Sequence, residues 1–216
     1  MSKVLSIQML ILVLMCAAFC SEAFGQNCKD SGATAWNETI RYVTADCASE
    51  SLSPNNRLLL KFAPNGRMSI LGKTIHFRGP RVKAPAMVSW SPKSEVFFVN
   101  DGEGSGMTST FRLFRVNGSH VYEDKAVEKA AVSLYRQRKG CKPTALDPDV
   151  WGFGWAADGS KIYLLVQATV HDPCGPPYHF ISLVVRASDG KILQTLTEEQ
   201  TKKRLGSLLP ASFFSE

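Results

Sequence analysis

The 216-residue chain is 44% hydrophobic and 10% aromatic, and its 25 Lys and Arg outweigh 19 Asp and Glu to give a formal charge of +6. That length supports one good core or at most two small ones, which excludes a larger multidomain assembly. The basic balance favours acidic partners, whether a protein surface, an anionic polymer or lipid headgroups, and carries no information on fold.

Taken in chain order, Lys3 precedes an apolar run over residues 4–19 broken only by Ser6 and Gln8, and small residues follow at Ala23 and Gly25. This pattern is that of a secretory signal peptide, residues 1–25, cut near Gly25 and too short in its apolar part to span a membrane comfortably. The remainder, 26–216, is expected to be periplasmic or extracellular and not membrane-spanning. It keeps Cys28, Cys47, Cys141 and Cys174, an even set suited to two disulfides in an oxidising compartment.

Between residues 26 and 47 the regular signal is 39–44, a strand expected to close or cover a sheet edge. Beyond it the chain repeats itself. Residues 88–99 read Val-Ser-Trp-Ser-Pro-Lys-Ser-Glu-Val-Phe-Phe-Val, and residues 153–164 read Phe-Gly-Trp-Ala-Ala-Asp-Gly-Ser-Lys-Ile-Tyr-Leu. Trp155 thus falls under Trp90, and Ile162-Tyr163 under Phe97-Phe98. A weaker copy begins at Glu50, with Leu52 in the tryptophan position and Leu58-Leu59-Leu60 as its apolar run. Self-similarity of this kind marks a stacked repeat.

Each copy opens a four-stranded antiparallel meander. In the first, strands at 58–62 and 67–71 flank Ala63-Pro64-Asn65-Gly66, a strong hairpin signal, and 74–77 follows. The second has strands at 96–99 and 110–116 around a Gly-rich loop, then a turn at Asn117-Gly118. The third has strands at 161–170, 179–186 and 191–196, the last two joined through Asp189-Gly190. The second strand of each unit is apolar on both faces, as stacked sheets require. An insertion at about 122–148 separates the second and third units. Val127, Ala130, Ala131 and Leu134 give it one amphipathic helix, with basic residues before Gly140. A short C-terminal helix is expected from the capping box Thr197-Glu198-Glu199-Gln200 to about Leu205. Residues 26–216 are thereby read as a single β-repeat domain.

Trp90-Ser91-Pro92 and Trp155-Ala156-Ala157-Asp158-Gly159, each leading into an aromatic or aliphatic strand, resemble the WD40-like repeats of TolB-type β-propeller proteins. Their motif is approximately Trp-Ser-Pro-Asp-Gly before a hydrophobic strand. The resemblance spans roughly residues 50–196, with Asp-Gly in the third copy alone and Trp with Pro in the second alone. It implies radially packed blades that serve as platforms for partners and supply no catalytic residues. The expected fold is therefore mainly β, a partial or small β-propeller-like array. Three units would leave two sheet edges open. Either the N-terminal strand and C-terminal helix cover them, or two chains form a homodimeric six-unit ring; a β-sandwich with a helix at one end is the plainer alternative.

Extending the third unit's first hairpin past its strands brings Cys141 opposite Cys174, which pairs Cys28 with Cys47 by exclusion. The loops after the second strands and the connections between units emerge at one end, which gathers Arg78, Arg81, Lys83, Arg136, Arg138, Lys139 and Lys142. Read as a docking face, this set suits a protein with an acidic surface; read plainly, it is solvated surface charge. His171, Asp172, Cys174 and His179 lack zinc-finger spacing, and the 101–106 loop lacks EF-hand and Walker patterns. No metal or cofactor is expected. Nucleic-acid binding is not expected either, because basic and aromatic residues do not interleave along a strand. The favoured function is an exported, non-enzymatic binding protein that uses its basic loop face or a sheet edge. The alternatives are a hydrolase-type enzyme with its site at the 101–106 and 171–179 loops, and a cell-envelope assembly or inhibitor protein.

Overall fold

The same left-handed turn is written three times in this chain. Asn56, Ser94 and Gly159 each lie four places after Leu52, Trp90 and Trp155, and their φ angles are 58°, 61° and 68°. Around each, one backbone N–H closes the turn (Asn56 to Ser53, Ser94 to Ser91, Gly159 to Ala156) at 2.8, 2.9 and 2.8 Å. A second one joins the strands (Ser53 to Leu58, Ser91 to Val96, Ala156 to Lys161) at 2.9, 2.8 and 3.0 Å. The sequence copies are structural copies.

The computed structural model describes residues 37, 39–44, 48–102, 108–139, 147–168 and 179–214. All of them belong to one compact unit, Ala33–Glu216. The expected signal peptide and all four cysteines lie outside the described residues.

Three antiparallel sheets result. The first is β2(Ser49–Leu52), β3(Leu58–Phe62), β4(Arg67–Gly72) and β5(His76–Arg81) in that order. The second runs β6(Ala86–Trp90), β7(Val96–Asp101), β8(Thr110–Asn117) and β9(His120–Asp124), and β1(Arg41–Val43) adds a fifth strand beside β6. The third is β10(Asp149–Trp155), β11(Lys161–Gln167), β12(Phe180–Arg186) and β13(Ile192–Leu196). The N-terminal strand thus covers a sheet edge, but the edge is in the middle sheet, which it makes five-stranded, and not in either outer unit of the array.

Core composition follows from the stacking. Leu60, Phe62, Met68 and Ile70 of the first sheet pack on Val88, Trp90, Phe97, Val99 and Phe114 of the second. The opposite side of the second sheet, with Phe98, Phe111 and Leu113, packs on Trp155, Ile162, Leu164, Leu183 and Val185 of the third. Strand β7, sandwiched between neighbours, buries Phe97, Phe98 and Val99 alike, whereas β3 alternates, with Leu58, Leu60 and Phe62 buried and Leu59 and Lys61 half-buried. The two-faced apolar pattern read for every unit therefore fails in the first, whose outer side has no neighbouring sheet among the described residues.

Each of the two repeat tryptophans, Trp90 and Trp155, reaches back to the sheet before it. Trp155 Nε1 donates to Ser89 Oγ at 3.1 Å and Trp90 Nε1 to the Ser51 carbonyl at 3.4 Å, and Ser89 and Ser51 both immediately precede the repeat's tryptophan position. The free edge of β10 is satisfied piecemeal. Asn100 exchanges two 2.7 Å hydrogen bonds with the backbone N–H and C=O of Gly152, Val150 N donates to the Ser109 carbonyl, and Asn37 Nδ2 donates to the Phe153 carbonyl. Only a glycine fits at 152, because a Cβ there would lie 2.8 Å from Phe98 and 2.9 Å from Phe111.

Three boundaries differ from the sequence reading. Arg78 and Arg81, expected in a linker, belong to β5, an edge strand that tolerates Pro80 and is bulged against β4 between Arg67 and Ser69. Residues 122–124 belong to β9, so the insertion begins later, with α1(Ala126–Lys139). That helix seats Val127, Ala131 and Tyr135 in the core between the second and third sheets. The C-terminal helix α2(Glu198–Leu205) has the expected capping box, Thr197 Oγ1 accepting from Gln200 N at 3.2 Å. Together with the two 3-10 turns that follow it, α2 covers a sheet face, not an edge. Leu205, Leu208, Leu209 and Phe213 lie on Phe153, Leu165 and Phe180 of the third sheet.

Candidate functional site

In a meander, the turns after first and third strands emerge at one end and the remaining connections at the other. Here the first kind, at 53–57, 73–75, 91–95, 118–119, 156–160 and 187–191, line up across all three sheets. They touch their neighbours: Asn55 N donates to Ser94 Oγ at 3.1 Å, and Gly159 lies against Pro92 and Lys93. Between them runs a groove of about 1370 Å³ whose lining carries Arg57, Lys73, Lys93, Arg115 and Arg186, with Glu95 as its acidic side chain.

Two of the cations are fixed. Arg115 Nε donates to Asp124 Oδ2 at 2.8 Å and its Nη1 donates to the Ala187 carbonyl, which ties the second sheet to the third. Arg186 Nη1 lies 3.2 Å from Asp189 Oδ2. Asp124 and Asp189 stand behind the groove, not among its lining residues. Tyr122, directly across the ladder from Arg115, is 50% exposed on the groove wall. The combination is an open groove with cationic side chains and an aromatic side wall.

The residues anticipated as a basic face sit elsewhere. Arg78 and Arg81 are exposed on β5, Lys83 follows it, and Arg136 and Arg138 lie on the last turn of α1. Lys142 and the side chain of Lys139 lie outside the described residues. Acids are interleaved there. Arg112 makes a two-pronged contact with Glu123 at 3.0 and 2.9 Å, reaches Asp101 at 3.4 Å, and donates to the Arg81 carbonyl at 3.1 Å. Lys83 N donates to Asp101 Oδ1 at 2.8 Å, and Arg136 pairs with Asp147 at 2.8 Å. Burial, with Glu123 nearby, pushes Glu128 up from 4.5 to about 7.

The alternative enzymatic loops fall mostly outside the described residues; Asp101 is engaged as above, and His179 Nδ1 lies 3.2 Å from Glu198. Among the described residues no group of three His, Cys, Asp or Glu side chains is placed to hold a metal ion, and no helix is long and apolar enough to cross a membrane.

The groove cations were missed because they arrive singly from turns far apart in sequence. The available signal was topological: assigning charges to the two ends of each meander, strand by strand, would have collected them.

No family model and no curated protein matches the chain. Among solved structures, it is similar to the β-propeller domain of Myceliophteria thermophila Cps50 (Swd1), at 11% identity and a TM-score of 0.40. The match covers 69% of this chain and 43% of that one.

Proposed function

We propose that this chain is a non-enzymatic binding scaffold that holds an acidic segment of a protein partner in the groove across its turn end. The observation that carries this reading is the charge of the groove: Arg57, Lys73 and Lys93 line it and make no ion pair among the described residues, against the single lining acid Glu95, while Arg115 and Arg186 are each paired with an aspartate. A groove walled by like charges raises the local concentration of opposite charge and speeds its capture. The Trp-Ser-Pro and Trp-x-x-Asp-Gly turns support a platform of the TolB type, and the apolar stretch at residues 4–19 supports export and with it a partner in the periplasm or outside the cell.

The test is titration of the protein with a fluorescein-labelled oligoglutamate peptide. The triple variant Arg57→Glu, Lys73→Glu, Lys93→Glu should weaken binding by about 10- to 100-fold and flatten its salt dependence. Arg78→Glu, Arg81→Glu, Arg138→Glu should leave it within about two-fold. A loss confined to the second triple moves the docking face to the opposite end. Preference for a single-stranded oligonucleotide over the peptide overturns the choice of partner.

A further inference from the structure

The outer side of the first sheet is built in the register of the two buried inter-sheet faces. In the second and third sheets, Trp90-Phe97-Phe114 and Trp155-Ile162-Val185 form cross-strand rows that pack against the sheet before. The equivalent row in the first sheet is Leu52-Leu59-Leu71. It faces outward, Leu52 is 52% exposed, and neither Leu59 nor Leu71 belongs to a buried cluster. The next row, which begins Val88-Val99 in the second sheet, here reads Glu50-Lys61-Ser69-Arg78 across the four strands. An apolar row beside a charged one suits a surface that is covered part of the time.

We infer that this face docks on the same face of a second copy of the chain, about a two-fold axis parallel to the strands. That operation reverses strand order, so β2 of one copy lies over β5 of the other and β3 over β4. Leu59 then meets Leu71, and Glu50 meets Arg78, each contact occurring twice, as an isologous interface requires. Glu50, held 2.6 Å from Lys61 in its own sheet, is then shared with Arg78 of the other copy, while Lys61 faces Ser69. Four strands about 4.8 Å apart and five residues of about 3.3 Å each give a footprint of roughly 19 by 16 Å. Two such faces cover roughly 600 Å² in all, below the standard size of a stable interface, so the dimer is a weak and reversible one with a dissociation constant on the order of 100 micromolar.

Sedimentation velocity on the full chain, from about micromolar to about millimolar, tests this. The expected result is a concentration-dependent dimer, abolished by Leu59→Asp, weakened at least about five-fold by Glu50→Arg, and restored by the swap Glu50→Arg with Arg78→Glu. The swap does not alter the apolar row, so it remains decisive if Leu59→Asp does not fold. A monomer throughout overturns the inference, and so does a dimer indifferent to the Glu50 and Arg78 changes. Hydroxyl-radical footprinting that finds Leu59 and Leu71 protected in the monomer gives the face to another segment of the same chain and likewise overturns it.

Discussion

Replacing Asn100 by Leu tests how the second and third sheets are joined. Asn100 is 1% exposed, and its side-chain amide is partnered with the N–H and C=O of Gly152, both at 2.7 Å. Gly152 lies at the free edge of β10, facing away from β11, so a leucine leaves its two buried backbone groups without their partner. Each orphaned group costs about 1–3 kcal/mol, and the added apolar burial returns about 1, for a net loss of about 3 kcal/mol. In a fold of this size that lowers the melting temperature by roughly 6–12 °C. Chemical denaturation should move the midpoint with the slope unchanged, and the Gly152 amide should exchange markedly faster. A loss below about 1 kcal/mol with Gly152 exchange unaltered would refute the view that this amide bridges the sheets.

Two more predictions concern the core and the helix. Trp155→Phe should cost about 2 kcal/mol and Trp90→Phe about 1, because the Trp155 bond is shorter and ends on a buried hydroxyl. A double-mutant cycle of Trp155→Phe with Ser89→Ala should give a coupling near 1 kcal/mol, and additivity would sink the idea. Glu128 binds its proton more tightly folded, at about 7, than in the unfolded chain, at 4.5, so its contribution to stability is full below about pH 4.5 and is lost as pH rises toward 7. Glu128→Gln should remove that decline and gain about 1 kcal/mol on the parent between pH 5 and 8, a figure discounted for the side chain's partial exposure to water. Unfolding free energies measured at both pH values check it, and a variant whose advantage does not change with pH would count against it.

The fold was largely legible because the informative residues are local. A tryptophan, or Leu52 in its place, with a tight turn and an apolar strand within a dozen positions was enough to find all three units, and Thr197 with Gln200 marked the last helix. What was missed depends on neighbours distant in sequence. Gly79-Pro80 reads as a linker because proline cannot donate to a ladder, yet on an outer edge strand no ladder bond is lost. Tyr135, one of the most deeply buried side chains, lies one turn beyond Ala131 and owes its burial to the gap that α1 fills between two sheets. Leu208, Leu209 and Phe213 have no helical period to announce that they cover Phe153 and Phe180. The groove failed for the same reason: Arg57, Lys93 and Arg186 share a surface only after three meanders are stacked.

Because each of the two repeat indoles reaches toward the unit that precedes it, the array has a direction, as overlapping roof tiles do. Another module could be laid ahead of the first sheet without disturbing a contact among the described residues, and Leu52 would then be roofed over as Trp90 is. Behind the third sheet the space is occupied, since the segment carrying Leu209 and Phe213 would have to be lifted first. Lengthening such a protein by duplication is therefore easier at one side than at the other.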